Sequence, residues 1–149
     1  MSLQTKVMDA LKEAMKAKDT IALESLRAIK SAILLAKTEA GAAAELAEEE
    51  ELKLLQKLVK QRKDSAALYA QQGRNDLAEP ELAQVAVIEK FLPKQLSEAE
   101  VTDAVKAIIA EVGATSAKDM GKVMGVATKE LAGKADGSLI STIVKELLS

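Results

Sequence analysis

Only two prolines, Pro80 and Pro93, interrupt 149 residues, and on either side of them apolar residues return every three or four positions. That rhythm gathers side chains on one face of an α-helix, where successive residues turn by about 100°. A half-buried strand needs alternation at every second position, and no segment alternates in that way. The chain is therefore expected to be all-α. Ala, Leu, Glu, Lys and Gln, the residues that lose least on entering a helix, dominate it. With 48% hydrophobic and 30% charged residues it can bury a core and should not be disordered.

Capping residues and glycines divide the chain into seven predicted helices. The first spans residues 2–18, with Leu3, Val7, Leu11, Ala14 and Met15 as its apolar stripe. Asp19 caps the second, which turns Leu23, Leu26, Ile29, Ile33 and Leu34 inward and stops before Gly41. Residues 42–46 connect it to the third. That helix opens on Glu48, Glu49, Glu50 and Glu51, well placed against the positive end of the helix dipole, but Ala47 offers no capping oxygen. Leu52, Leu55, Leu58, Val59 and Leu68 form its apolar side and Gly73 ends it. The fourth begins at Asn75, or at Glu79 if Pro80 occupies its first turn, packs through Val85, Val87, Ile88, Phe91 and Leu92, and stops at Pro93. Residues 92–96 read as a joint. Ser97 and Glu100 form a capping box for the fifth helix, in which Val101, Val105, Ile108 and Ile109 point inward until Gly113 ends it. Ser116 is placed to cap a sixth helix over residues 117–131. Asp136 or Ser138 caps a seventh that ends near Leu148, with Leu139, Ile143, Leu147 and Leu148 inside. The expected organisation is an N-terminal helical bundle, residues 1–93, followed by a small three-helix C-terminal domain, residues 97–149. A unit of about 50 residues is marginal alone and is expected to lean on its neighbour.

The residues that are missing exclude much chemistry. There is no cysteine and no histidine. Disulfides, thiolate nucleophiles, Cys/His zinc sites and histidine-based triads are therefore closed to this chain. Tyr69 and Phe91 are its only aromatics, too few to stack successive bases of a single strand. The net charge of −2 argues against a strongly electrostatic nucleic-acid binder but leaves room for a local basic face. The first eighteen residues are amphipathic and carry acids, without a signal peptide's apolar core, and no apolar run reaches membrane-spanning length. These features lead us to expect a cytoplasmic protein that uses no membrane, metal or cofactor. An enzyme would have to work with carboxylates, lysines, hydroxyls or Tyr69; nothing positive supports that reading, and we expect a protein that is not an enzyme.

Three stretches are candidates for function, each with an ordinary explanation beside it. Lys53, Lys57 and Lys60, flanked by Arg62 and Lys63, could contact phosphates; a solvated face with Glu49–Lys53 pairing accounts for the same residues. Gly121 and Gly125 stand four apart inside a helix, beside Lys118, Lys122 and Lys129. They suit either the close approach of a ligand backbone or a tight helix–helix crossing. Gly133-Lys134-Ala135-Asp136-Gly137 could hold an anion, or could be a plain inter-helix turn with an aspartate cap.

Four motifs in order resemble the GatB/YqeY family over essentially the whole chain. They are Gln61-Arg62-Lys63-Asp64-Ser65, Leu92-Pro93-Lys94-Gln95-Leu96-Ser97, Ala117-Lys118-Asp119-Met120-Gly121-Lys122-Val123-Met124-Gly125, and Gly133-Lys134-Ala135-Asp136-Gly137-Ser138-Leu139. The chain is most similar to the free-standing members. The resemblance implies that its C-terminal part is like the tail of the B subunit of the tRNA-dependent amidotransferase, which is thought to contact tRNA. It further implies tRNA as a partner, and an aminoacyl-tRNA synthetase or the amidotransferase as a protein partner. Carried onto this sequence, the RNA-facing residues are Lys118, Gly121, Lys122, Gly125, Lys129, Gly133 and Lys134. The amidotransferase's carbon–nitrogen ligase activity, with glutamine as amido-N-donor, belongs to a catalytic body for which this chain has no room. Ala47, where a Ser or Thr cap is usual, and Pro80, within a helix, depart from the family pattern. The alternative expectation is a protein-interaction module docking through an apolar patch around Val123 and Met124.

Overall fold

A computed structural model describes residues 2–41 and 45–149. The expected connection over residues 42–46 lies partly outside them. The chain is all-α: among the described residues there are seven α-helices and no strand. They are α1 (Leu3–Ala17), α2 (Thr20–Ala40), α3 (Glu48–Gln71), α4 (Asn75–Glu89), α5 (Glu98–Val112), α6 (Met120–Glu130) and α7 (Gly137–Leu148), with one 3₁₀ turn, Ala117–Asp119, leading into α6.

The chain divides into two compact units between Leu92 and Pro93. In the first, α1 and α2 form one antiparallel pair and α3 and α4 another, and α2 packs on α4 and α3. Its core gathers Leu3, Val7, Leu26, Ile29, Ile33, Leu55, Val59, Val85 and Ile88. Both aromatic residues of the chain belong to this unit: Tyr69 lies on α3, and Phe91 packs against the core. In the second unit α5, α6 and α7 pack on one another around Val101, Val105, Ile108, Val123, Ala127, Ile140, Ile143 and Val144, an aliphatic core with no ring in it.

Local chemistry explains the helix ends. Ser2, Asp19, Ser97 and Asp136 each accept a hydrogen bond from a first-turn N–H. Gly73 and Gly113 take the left-handed conformation that ends α3 and α5, at φ of 73° and 70°. Ala47 makes no side-chain cap, so the four glutamates of the first turn face the α3 dipole without one. Helix α4 starts at Asn75 and carries Pro80 inside it. The bond lost there falls on the solvent side, since Asp76 and Pro80 are both exposed.

Several expectations need correction. Leu34, Leu68 and Met15 face solvent, at 49%, 55% and 62% exposure. The buried arc of α2 is centred on Leu26, Ile29 and Ile33, and Leu34 falls outside it. Ser116 makes no side-chain cap; the Thr115 N–H instead donates to the Asp119 carboxylate, 3.0 Å away, and residues 117–119 wind as a 3₁₀ turn before the α-helix begins. On α7, Ile140 and Val144 are buried, whereas Leu139 and Leu147 are only partly so.

The capping box of α5 is complete: Glu100 N–H donates to Ser97 Oγ at 3.2 Å and Ser97 N–H to Glu100 Oε1 at 3.0 Å. The Ser97 N–H, with help from the Ser97 side chain, holds the Glu100 carboxyl below its usual pKa of 4.5. A depressed carboxylate pKa contributes stability above the unfolded value, and that contribution is lost as the pH falls through the folded one. Glu100→Gln is expected to lower stability at pH 7, where that contribution is fully present, and to flatten the acid limb of the stability–pH curve below about pH 4.5, so that the variant and the wild type converge at low pH. Chemical denaturation at pH 3, 4, 5 and 7 measures this; an unaltered acid limb would refute it.

Candidate nucleic-acid interface

Helix α6 is two-sided. Gly121, Lys122, Gly125 and Lys129 fall within about 100° of one another around its axis, given 3.6 residues per turn. All four are exposed, as is Lys118 in the 3₁₀ turn that precedes them. The opposite side, Val123, Ala127 and Leu131, is buried in the core of the second unit. Burial of that side is what turns the lysines and glycines outward.

The environment of the two glycines tests one of the readings that the sequence leaves open, the tight helix crossing. A methyl group added at Gly121 or at Gly125 would meet nothing within 4 Å. Among the described residues no helix crosses closely at that point, so the tight-crossing explanation fails. A glycine inside a helix is less favourable than alanine by about 1 kcal/mol. Here packing within the unit does not offset that cost. The bare strip of backbone is left open to solvent between three lysine stems.

The lysines are equally uncommitted. Among the described residues ion pairs form at Lys16, Lys53, Lys63 and Arg74, and none at Lys118, Lys122, Lys129 or Lys134. The second unit holds seven lysines against eight acids, so the α6 face is a local segregation of charge and not a basic domain.

The other candidates fare differently. On α3, Lys53 pairs with Glu49 at 3.6 Å and Lys63 with Glu89 at 3.4 Å. Arg62 donates to Gln84 Oε1 at 2.8 Å and to the Leu58 carbonyl at 3.1 Å, and Gln84 in turn donates to Glu24. The flanks of that basic row thus hold α2, α3 and α4 together. Within the Gly133–Gly137 loop the Asp136 carboxylate accepts from the Ser138 N–H and hydroxyl, so an acid already occupies the start of α7. Gly133 is buried at φ of 74°, with its carbonyl bonded inside the unit, so it shapes the loop and is not available to face RNA. Lys134 is exposed.

The apolar patch expected around Val123 and Met124 does not exist. Val123 is fully buried and Met124 packs against the core. Exposed apolar side chains lie instead on the first unit. They include Leu34 and Leu35 on α2, and Leu68 and Leu82 on the α3–α4 pair, where Leu82 borders a shallow groove with Ala66, Ala67, Ala70 and Ala78.

A cavity of ≈ 260 Å³ lies between the starts of α1 and α3, lined by Leu3, Lys6, Glu48, Glu51, Leu52, Leu55 and Phe91. Burial pushes the Glu51 carboxyl above its usual pKa, and the Leu3 N–H that it accepts works against that shift. Among the described residues no group of three or more His, Cys, Asp or Glu is placed to hold a metal, and no helix is long and apolar enough to cross a membrane.

The sequence model of the family described as Yqey-like protein matches residues 4–148. The chain belongs to the YqeY-like family. Two relatives are called altered inheritance of mitochondria protein 41, mitochondrial. The one from Clavispora lusitaniae is 33% identical over 142 residues, covering 92% of this chain and 82% of the relative. The one from Meyerozyma guilliermondii is 33% identical over 119 residues, covering 78% of this chain and 61% of the relative. The matched YqeY-like region takes in both the α6 face and the loop that carries Lys134.

Proposed function

We propose that this YqeY-like chain is a non-catalytic, tRNA-associated accessory protein that lays the exposed face of α6 against the ribose–phosphate backbone. The carrying observation is the open glycine pair between lysines that form no ion pair among the described residues. Lysine ammonium groups suit phosphates, and a helix face without side chains at two positions lets the backbone approach closely. With no aromatic residue in the second unit, recognition uses shape and charge and not base stacking. On this reading the first unit is the N-terminal bundle of the family and the second corresponds to the amidotransferase tail, without its ligase chemistry. The relatives bear a mitochondrial name; the proposal is the same for the cytoplasm or the mitochondrion, since both contain tRNA.

The test is a titration of the purified protein with bulk tRNA at about 50 and 200 mM salt, a range over which phosphate contacts weaken by decades. Binding that falls steeply with salt supports the proposal. Absence of binding at the lower salt overturns it. A second reading, docking on an aminoacyl-tRNA synthetase or amidotransferase, draws support from the exposed leucines of the first unit. It requires protein association that survives high salt, with no binding of free tRNA.

A further inference from the structure

The motif Leu92-Pro93-Lys94-Gln95-Leu96-Ser97 has the composition of a joint, yet from Pro93 onward it belongs to the second unit. The Gln95 side-chain amide donates to the Gly133 carbonyl at 2.6 Å and to the Pro93 carbonyl at 3.0 Å. One residue on, the Leu96 N–H donates to the Lys134 carbonyl at 2.9 Å, and the Leu96 side chain packs on the core. The Lys134 N–H donates to the Leu131 carbonyl at 3.0 Å. Both polar backbone groups of Lys134 are therefore held, its neighbours Gly133 and Ala135 are buried, and its side chain alone points outward. A lysine on an ordinary surface loop would spread its charge over many positions; this one has a fixed root.

We infer that Gln95 is a positioning residue for Lys134: its amide latches the segment before α5 to the α6–α7 loop and so fixes where that cation meets a phosphate. The second half of this inference rests on the proposed RNA reading; the first half does not. Gln95 carries no charge and touches no ligand. It acts on binding only through the loop, and this makes it separable from a direct contact.

Gln95→Met keeps the length and neutrality of the side chain and removes the donor. In the full-length chain, amide hydrogen exchange at Leu96 and Lys134 is expected to quicken roughly 3- to 10-fold, as the loss of one net hydrogen bond would produce. Against bulk tRNA the logarithmic salt slope is expected to fall by about 1, the same as for Lys134→Ala, although no charge has been removed. The double variant should match Lys134→Ala alone. Gln95→Asn, whose amide is one methylene too short to span the gap, should reproduce the result if the methionine variant folds poorly. Unchanged exchange at both amides overturns the latch. Faster exchange with an undiminished salt slope, or additive losses in the double variant, overturns the positioning of Lys134. If the wild-type chain binds no tRNA, the RNA reading and the positioning claim fall together, while the exchange result still decides the latch.

Discussion

Replacing Lys118, Lys122 and Lys129 together with alanine is expected to weaken tRNA binding by about two decades at roughly 0.1 M salt. The size of the effect follows from counterion release: each lysine that neutralises a phosphate contributes about 0.7 to 0.9 to the slope of log affinity against log salt. Removing three such lysines should lower that slope by about 2 to 3. All three side chains are exposed and none is paired within the described residues, so their removal should leave the fold intact. The matching control is Lys53, Lys57 and Lys60→Ala on α3, which removes the same charge from a different face. Equal losses from the two triple variants would show that only overall charge matters, and the α6 face would lose its assignment.

Gly121→Ala and Gly125→Ala should produce two effects of opposite sign. Each alanine enters open space in a helix, so each should stabilise the second unit by about 1 kcal/mol through helix propensity alone. Each also puts a methyl group where a ligand backbone is proposed to lie, so tRNA binding should weaken although the protein has become more stable. Urea denaturation followed by far-ultraviolet circular dichroism, set beside the binding titration, reads both effects. Stabilisation with undiminished binding would mean that these glycines serve no ligand. Destabilisation would mean that the space around them is filled in solution.

The sequence made the ends of the helices legible because capping is local chemistry. Ser97 with Glu100, Asp19, Asp136 and the left-handed Gly113 act on backbone groups within four residues of themselves, and their roles could be stated before any packing was known. Which apolar residue is buried is not local. Ile33 and Leu34 are adjacent, both fit a helical stripe, and only the placement of α1 and α4 around α2 buries the first and exposes the second. The glycine pair was visible as a pattern but not as an environment, since a crossing site and an open face have the same spelling. Gln95 stood in a motif but gave no sign of its partner: a polar residue between a lysine and a leucine reads as solvent-facing loop until Gly133, 38 positions away, is seen beside it.

Placing both aromatic residues in the first unit has an optical consequence. Tyr69 and Phe91 are the only near-ultraviolet chromophores of the side chains, and the second unit has none. Tyrosine fluorescence therefore follows the melting of one unit and is blind to the other, and a ligand seated on α6 leaves no intrinsic signal of its own. A single smooth fluorescence transition would not establish that the whole chain unfolds in one step, because that requires probes that see both halves to coincide.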